Sequence, residues 1–335
     1  MASKELRFGI VGLSMGKRPV KQIAETPGAV LAGVCCLEEE VVQRFASEYA
    51  CFGTTDFRKL IKRPDIDVIG VWTPSGLHAT VAVPALRAGK HVVITKPMDI
   101  TVKACDRINE TARAHERTVL IDFDSHYKPL IRRISQAMAE GRIGPVLHAD
   151  MVMKWYRKQA YFDGGSPAGW HSRWETEGGS LANQGVHFLE LLMRWCGPVA
   201  RVRGRYGTVA HQIETEDLCN AWFEFTSGAW GTVVTTTTAP NNFATSIQIH
   251  SRDGLLHWSK DGLQGYATPE LPKGGTEEDL PPDPGHFKNI IEETVAVIND
   301  GAQPTCSGEW GREVTAAFCA VYQSARRKGA LVQLA

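Results

Sequence analysis

The sequence predicts an α/β protein of two domains: an N-terminal domain built on a parallel sheet, and a C-terminal α+β domain with a large, open, mostly antiparallel sheet. Short β-branched runs alternate with helical patterns up to residue 125, as in a parallel sheet covered on both faces. From Val146 onward the pattern changes to strands separated by Gly, Asn and Asp turns. A chain of 335 residues can bury two cores. We therefore assign residues 1–125 to the first domain and residues 126–335 to the second.

The first predicted strand, Leu6 to Val11, leads into a turn that contains two glycines. Backbone N–H groups in such a turn can approach a pyrophosphate, and the dipole of the following helix favours the anion. We therefore expect Gly12, Ser14, Met15 and Gly16 to bind a dinucleotide, which makes the first domain a Rossmann domain. Ser14 stands where the usual fingerprint has its second glycine.

The second predicted strand ends at Cys36, and Leu37 follows it. This strand end usually contacts the adenosine ribose, so we expect both residues to bind the cofactor. The acidic run Glu38–Glu40 disfavours a 2′-phosphate, whereas Lys17 and Arg18 favour one. We expect NAD as the cofactor, with NADP as the alternative.

A strand–helix–strand unit spans residues 66–98 and places polar groups at the ends of both strands. In open α/β sheets, ligands bind outside the carboxyl ends of the strands. The residues that we expect to contact the cofactor here are Thr73, Pro74, His78, Thr95 and Lys96.

Periodicity and turn signals place the other elements. Further helices are predicted to Tyr49 and over 101–115, 128–140, 285–299 and 308–327, and a fifth strand over 119–123. Strands of the second domain are predicted near 146–156, 200–208, 217–226, 229–238, 244–250 and 254–258, with a hairpin at Thr226–Gly228 and a surface loop over 274–284.

A second group of polar residues opens a predicted helix that runs to Trp195. Asn183 and His187 are four residues apart, so they share one helix face. Gly178 and Gly179 precede them and would let a ligand approach closely. Together these features favour a functional role for His187 over a purely structural one.

The composition excludes several classes of partner. There are 37 basic and 37 acidic residues, so no electrostatic surface for nucleic acid or anionic membrane is indicated. The eight cysteines form no CxxC pair or metal-type cluster, so we expect reduced thiols and no metal site. The N-terminal residues lack an apolar signal core, and a cytoplasmic location is expected.

With these residues in view, the chain resembles the Gfo/Idh/MocA family of sugar and inositol oxidoreductases over its whole length. The landmarks that match in order and spacing are the GLSMG turn, Thr73-Pro74 with His78, Gly89–Val92 with Lys96-Pro97, Gly178–His187, Glu216-Asp217, Gly285-His286 and Ser307–Ala325.

The resemblance implies an NAD(P)-dependent dehydrogenase or reductase that acts on a CH–OH group of a sugar, glycoside or inositol-like polyol. His187 would take the hydroxyl proton as general base, because imidazole titrates near working pH. Lys96 would bond the reacting oxygen and relay its proton, and Asn183 would orient the substrate. We add Trp174, His126 and Tyr156 as substrate-binding candidates.

Three positions depart from the family pattern. Thr95 replaces the Glu before the lysine, Asn183 replaces an Asp, and Cys36 replaces the acidic ribose ligand. Two alternatives stay open: an NAD-dependent glycosidase that oxidises the sugar transiently, and a non-catalytic sugar or dinucleotide sensor. The family's open sheet also implies a homodimer or homotetramer.

Overall fold

The structure is a computed structural model that describes residues 4–243, 245–285 and 287–334. Parts of the predictions that involve residues 1–3, Ala244, His286 and Ala335 lie outside the described residues. The described chain divides into two units: Met1–Asp124 with Phe287–Arg312, and Ser125–His286 with Glu313–Ala335. The sequence-based boundary assigned Phe287–Arg312 to the second domain.

The strands and helices have the following bounds. The strands are β1 (Leu6–Val11), β2 (Ala29–Cys35), β3 (Phe52–Thr54), β4 (Val68–Val71), β5 (His91–Thr95), β6 (Val119–Asp122), β7 (Val146–Lys154), β8 (Val199–Gly207), β9 (Leu218–Phe225), β10 (Trp230–Thr236), β11 (Ser246–Ser251), β12 (Leu255–Ser259), β13 (Gly262–Ala267) and β14 (Val332–Gln333). The helices are α1 (Lys17–Glu25), α2 (Glu39–Glu48), α3 (Phe57–Ile61), α4 (His78–Arg87), α5 (Val102–Ala114), α6 (Pro129–Ala139), α7 (Gln159–Asp163), α8 (Val186–Cys196), α9 (Ile290–Asp300) and α10 (Gly308–Arg326).

The first unit contains a parallel six-stranded sheet in the order β3-β2-β1-β4-β5-β6. Its central strands are apolar because both faces are covered, and β4 is buried along its whole length. The strand order reverses between β1 and β4, which opens a crevice at their carboxyl ends. The predicted α/β class and parallel sheet are confirmed; β3 escaped prediction because it has only three residues.

The second unit contains an eight-stranded sheet in the order β13-β12-β11-β7-β10-β9-β8-β14. The predicted hairpin joins β9 to β10, and Gly228 in its turn has φ +87°. Among the strands described, one pair, β7 and β10, is parallel and the other pairs are antiparallel, which confirms the predicted mostly antiparallel sheet. Buried side chains alternate along β7, β9 and β11, so one face of the sheet is packed and the other is open.

Helix ends in both units follow the local sequence. The hydroxyl of Thr101 accepts a hydrogen bond from the N–H of Ala104 at the start of α5. Asn289 caps α9 by accepting from the N–H groups of Ile291 and Glu292. No helix of the part described is both long and apolar enough to cross a membrane.

Candidate functional site: a dinucleotide edge and a polar π-helical turn

In the turn after β1, backbone atoms approach two positions so closely that only glycine fits there. Gly12 has φ +94°, and a Cβ there would stand 2.3 Å from the carbonyl oxygen of Trp72. A Cβ on Gly16 would stand 2.1 Å from the Gly12 carbonyl oxygen. No side chain caps α1 at Gly16, while Ser14 and Met15 point into solvent. The uncapped N–H groups and this narrow backbone fit the pyrophosphate of a dinucleotide.

Arg18, in the first turn of α1, is held by two carboxylates of its own unit. One guanidinium nitrogen pairs with Asp122 at the end of β6, and the other lies 2.8 Å from Asp124 Oδ2. Burial raises the pKa of Asp122 to about 6, against the opposing effect of Arg18. Because its charge is already paired, Arg18 no longer argues for NADP.

The end of β2 presents a thiol and an exposed apolar side chain. The Sγ of Cys36 lies 3.4 Å from the carbonyl oxygen of Glu38, and burial raises the pKa of this thiol. Leu37 is 71% exposed. Neither side chain can accept the bidentate hydroxyl contacts that a carboxylate would offer, so their proposed cofactor contacts stay predictions.

The loop after β4 carries a buried hydroxyl oxygen at the carboxyl edge of the sheet. Thr73 Oγ1 is buried and has no hydrogen-bond partner among the residues described. Pro74 precedes a short 3₁₀ turn, Ser75–Leu77. A buried oxygen without a partner is costly, so Thr73 fits a hydrogen-bonding group of a bound cofactor.

His78 has a different role from the one predicted. Its side chain is fully buried, with Nε2 2.9 Å from the Thr73 carbonyl oxygen and Nδ1 3.0 Å from that of Pro97. Burial lowers its pKa to about 4, so the ring is neutral. Both nitrogens face the backbone and neither is offered to a cofactor. A neutral ring can donate to only one of these two carbonyl oxygens, so His78 joins the loop after β4 to the loop after β5 through one donated hydrogen bond and one close contact.

Thr95 is the last residue of β5, and Lys96 follows it directly; both are half-buried. The Lys96-Pro97 peptide bond is cis. Thr95 lies opposite Asp122 in the parallel pairing of β5 with β6. The structure thus places Lys96 at the carboxyl edge of the first sheet, the edge that also carries Gly12 and Thr73.

In the second unit, the helix predicted to carry Asn183 begins with a π-helical turn, Ser180–Gly185, before α8. Asn183 is buried within this turn, and half-buried His187 lies in the first turn of α8. The Nδ2 of Asn183 donates to the hydroxyl of Tyr161 over 3.2 Å, and Gln184 Nε2 donates to the same oxygen over 2.9 Å. Burial, with the nearby charge of Glu177, raises the pKa of Tyr161 to about 12.

A buried carboxylate holds the π-helical turn. Glu216 accepts hydrogen bonds from the Leu181 N–H (2.7 Å), the Ser180 hydroxyl (2.6 Å) and the Tyr322 hydroxyl (2.9 Å). Burial raises the pKa of Glu216 to about 7, against the effect of these bonds. A Cβ on Gly179 would stand 2.3 Å from the Glu216 carbonyl oxygen.

Gly178 is likewise closed off, since a Cβ there would stand 2.3 Å from that of Ala182. The two glycines were expected to admit a ligand. Here they allow the turn to pack against its own unit, and their role in admitting a ligand stays a prediction.

The other proposed substrate-binding residues have defined surroundings in the second unit. His126 is buried, and its Nε2 lies 2.6 Å from Glu190 Oε2. Trp174 packs edge-to-face on Tyr322 with ring centroids 5.2 Å apart. Tyr156 is 42% exposed. Their roles in substrate binding stay predictions. No sequence pattern pointed to Tyr161, whose hydroxyl accepts hydrogen bonds from both Asn183 and Gln184.

Profiles of known families match both parts of the chain. The oxidoreductase family with an NAD-binding Rossmann fold matches residues 6–123, and the GFO/IDH/MocA C-terminal domain matches residues 131–257. The chain belongs to the Gfo/Idh/MocA family. The predicted resemblance, the NAD(P)-dependent oxidoreductase class and NAD as cofactor are thereby confirmed.

The curated relatives that the chain matches include a dehydrogenase and a glycosidase. Levoglucosan dehydrogenase of Pseudarthrobacter phenanthrenivorans is 25% identical over 270 residues, which cover 71% of this chain and 67% of that protein. The α-N-acetylgalactosaminidase of Shewanella oneidensis is 25% identical over 187 residues, which cover 51% of this chain and 40% of that enzyme. The chain thus matches less than half the length of the glycosidase.

Solved structures of the family share the fold over the whole chain. The WlbA dehydrogenase of Bordetella pertussis, in complex with NADH and UDP-GlcNAcA, has a TM-score of 0.91 at 24% identity and covers 100% of this chain and 99% of its own. Levoglucosan dehydrogenase in complex with NADH has a TM-score of 0.85 at 22% identity. The match covers 98% of this chain and 99% of that one. At this level of identity the likeness establishes the fold.

Proposed function

We propose that this family member is an NAD-dependent oxidoreductase that transfers a hydride between nicotinamide and a secondary hydroxyl of a sugar, glycoside or inositol-like polyol. The observation that carries the proposal is the carboxyl edge of the first sheet. There the Gly12 turn fits a pyrophosphate, and the buried Thr73 oxygen has no protein partner among the residues described. The likeness to levoglucosan dehydrogenase supports a sugar substrate.

Three residues are proposed to act on the substrate. His187 accepts the hydroxyl proton as general base, since a half-buried imidazole suits proton transfer near neutral pH. Lys96 donates a hydrogen bond to the same oxygen and relays its proton. Asn183 orients the substrate through its amide, whose Nδ2 is already positioned by Tyr161. NAD supplies the hydride acceptor when bound.

NAD is proposed as the preferred dinucleotide over NADP. Exposed Glu38, Glu39 and Glu40 follow β2, where they would repel a 2′-phosphate, and Arg18 is engaged by Asp122 and Asp124. A cytoplasmic location is also proposed, supported by eight cysteines that form no disulfide among the residues described.

The experiment is a panel of sugars, polyols and glycosides with NAD⁺ and NADP⁺, followed by the absorbance of the reduced nicotinamide. On the best substrate, His187→Ala and Lys96→Ala should each lower kcat by about 10²–10⁴-fold. Dinucleotide affinity, measured by calorimetry, should change little, because both groups act on the hydroxyl. Exposed His115→Ala and Lys103→Ala are the matched controls and should keep wild-type kcat. Near-normal kcat in His187→Ala would refute its role as the base.

The glycosidase relatives favour one alternative, an NAD-dependent glycosidase in which transient oxidation assists elimination. It would use the same lysine and histidine. Release of the aglycone from an aryl glycoside, without net accumulation of reduced nicotinamide, would identify it. Stoichiometric reduced nicotinamide would identify the dehydrogenase.

A further inference from the structure

An arginine in the second unit lies beside the polar turn, and all of its partners among the described residues are neutral. Arg157 is half-buried, and its guanidinium carbon lies 5.0 Å from the ring centroid of Trp155 and 5.5 Å from that of Tyr161. Nη2 donates to the amide oxygen of Gln184 over 3.1 Å, and Nη1 donates to the carbonyl oxygen of Tyr156 over 2.9 Å. Arg157 forms no ion pair with any residue that the structure describes.

A guanidinium in this setting is suited to bind an anion. Its contacts with the two rings hold the guanidinium plane in place and remove part of its water, while no carboxylate of the described residues neutralises its charge. Glu177 influences the neighbouring Tyr161, yet it is not an ion-pair partner of Arg157. A planar, pre-positioned guanidinium can form paired, charge-assisted hydrogen bonds to a carboxylate or phosphate.

A second cation stands on the same aromatic ring. The Nζ of Lys260 lies 4.4 Å from the ring centroid of Trp155, so the two charges are no further apart than the sum of their distances to that centroid. Like charges this close repel each other, and the electron-rich ring face offsets only part of that repulsion. An anion at the edge of the Trp155 ring, within reach of both side chains, would be attracted by both charges. Trp155 is itself fixed, since its Nε1 donates to Thr245 Oγ1 over 2.8 Å.

Direct contacts connect this cationic pair to the proposed substrate residues. Arg157 bonds Gln184, which together with Asn183 donates to the Tyr161 hydroxyl. On the other side, Trp155 packs edge-to-face on Phe188, the neighbour of His187 in α8, with ring centroids 5.7 Å apart. The cations therefore border the residues that would orient and deprotonate a sugar hydroxyl.

We propose that the substrate carries an anionic group, a carboxylate or a phosphate ester, which Arg157 and Lys260 bind on the Trp155 platform. The proposal rests on the proposed function, because it names the substrate class of the same site. Asn183 and His187 would then face the sugar ring, while the anionic substituent would fix its orientation.

Calorimetric binding to the NAD⁺-loaded enzyme tests this without requiring turnover. The probes are D-glucose, D-glucuronate and D-glucose 6-phosphate, which share a ring and differ in charge. We expect at least one anionic probe to bind about 10-fold or more tightly than glucose, as charge-assisted hydrogen bonds predict. The carboxylate and the phosphate probes identify which anion the site prefers. Equal binding of all three, or none at millimolar concentration, would overturn the proposal.

Variants locate the binding group. Arg157→Gln should weaken the preferred anionic probe by about 10–100-fold and glucose much less, with Arg157→Lys in between. Exposed Lys260→Gln should give a smaller loss and provides a test that does not disturb Gln184. The control is Lys154→Gln, which likewise removes one positive charge, from an exposed side chain at the end of β7. An unchanged anion preference in both Arg157→Gln and Lys260→Gln would overturn the assignment.

The two proposals fail in different ways. If the enzyme is not a dehydrogenase, no member of the substrate panel reduces NAD⁺, whatever its charge. If the anion site is wrong, neutral sugars reduce NAD⁺ as efficiently as their anionic counterparts. When an anionic substrate is found, Arg157→Gln should raise its KM more than it lowers kcat, because the anion is bound equally in ground and transition states.

Discussion

At the residue scale, Glu216 is the carboxylate on which the polar turn of the second unit depends. It is 1% exposed and accepts hydrogen bonds from three donors, two of them in the π-helical turn. A buried carboxylate costs much desolvation energy, and here the three donors offset that cost only in part. Its pKa of about 7 reflects this balance.

Glu216 makes the free energy of unfolding depend on pH. Its pKa is raised from 4.5 to about 7 on folding, so its stabilising effect is complete below pH 4.5 and is lost as pH rises through 7. Between pH 4.5 and pH 7, the free energy of unfolding of the wild-type protein should therefore fall by up to about 3 kcal/mol relative to that of Glu216→Gln. Urea unfolding at several pH values measures the difference, and the subtraction cancels other titrating groups.

Exposed Glu175→Gln is the matched control, and its difference from wild type should not vary with pH. A flat difference for Glu216→Gln would show that the Glu216 carboxyl titrates alike in the folded and unfolded chain.

At the element scale, the β1–α1 turn and the π-helical turn both use glycine where backbone or a buried side chain approaches closely. In the first turn the approaching group is the Trp72 carbonyl, and in the second it is Glu216. The first case combines close approach with a positive φ, so substitution there adds backbone strain to a steric clash.

Gly12→Ala should lower both the unfolding temperature and the affinity for NADH. A left-handed alanine costs about 1–2 kcal/mol, and its Cβ would displace the Trp72 carbonyl beside the proposed pyrophosphate site. We expect a loss of NADH affinity of about 10-fold or more. Calorimetry and thermal unfolding measure the two effects.

Gly28→Ala introduces backbone strain at a glycine outside the β1–α1 turn, so it tests the effect of strain apart from the proposed pyrophosphate site. Gly28 has φ +79°, but its Cβ would meet only a Val295 methyl at 3.4 Å. This variant should lower the unfolding temperature and keep NADH affinity. If both variants bind NADH as the wild type does, the β1–α1 turn is not the pyrophosphate site.

At the scale of the whole molecule, the open face of the second sheet is the surface proposed for self-association. Trp230 on β10 is 57% exposed and packs edge-to-face on Trp222 of β9, with ring centroids 5.9 Å apart. Tryptophan is enriched at protein interfaces, and exposed apolar surface of this kind often marks one. We therefore propose a homodimer or homotetramer formed through this face.

Light scattering should give a mass of two or four chains of 36.8 kDa at micromolar concentration. Trp230→Glu should shift the mass toward one chain, because the association would bury a charge against an apolar surface. Val209→Glu is the control, since Val209 is 61% exposed and lies outside the sheet strands. A wild-type monomer would contradict the proposal.

The sequence by itself determined the features that depend on neighbouring residues. The β-branched runs specified the central strands of the first sheet, and Gly12 and Gly16 specified the turn after β1, because a buried strand and a positive φ each constrain local composition. The order and spacing of motifs identified the family. The β9–β10 hairpin also depends on neighbouring residues, because the turn residues Thr226–Gly228 predicted it.

Only the tertiary structure decided which distant groups meet. Ser180 bonds a carboxylate 36 residues away, and the Ala182 N–H bonds a hydroxyl 140 residues away, so no local pattern could predict the π-helical turn. Three other features also depend on residues that are distant in sequence. They are the burial of His78 against two strand-end loops, the parallel pairing of β7 with β10, and the neutral partners of Arg157. Periodicity reports which face of an element is buried, whereas hydrogen-bond partners are fixed by chain packing.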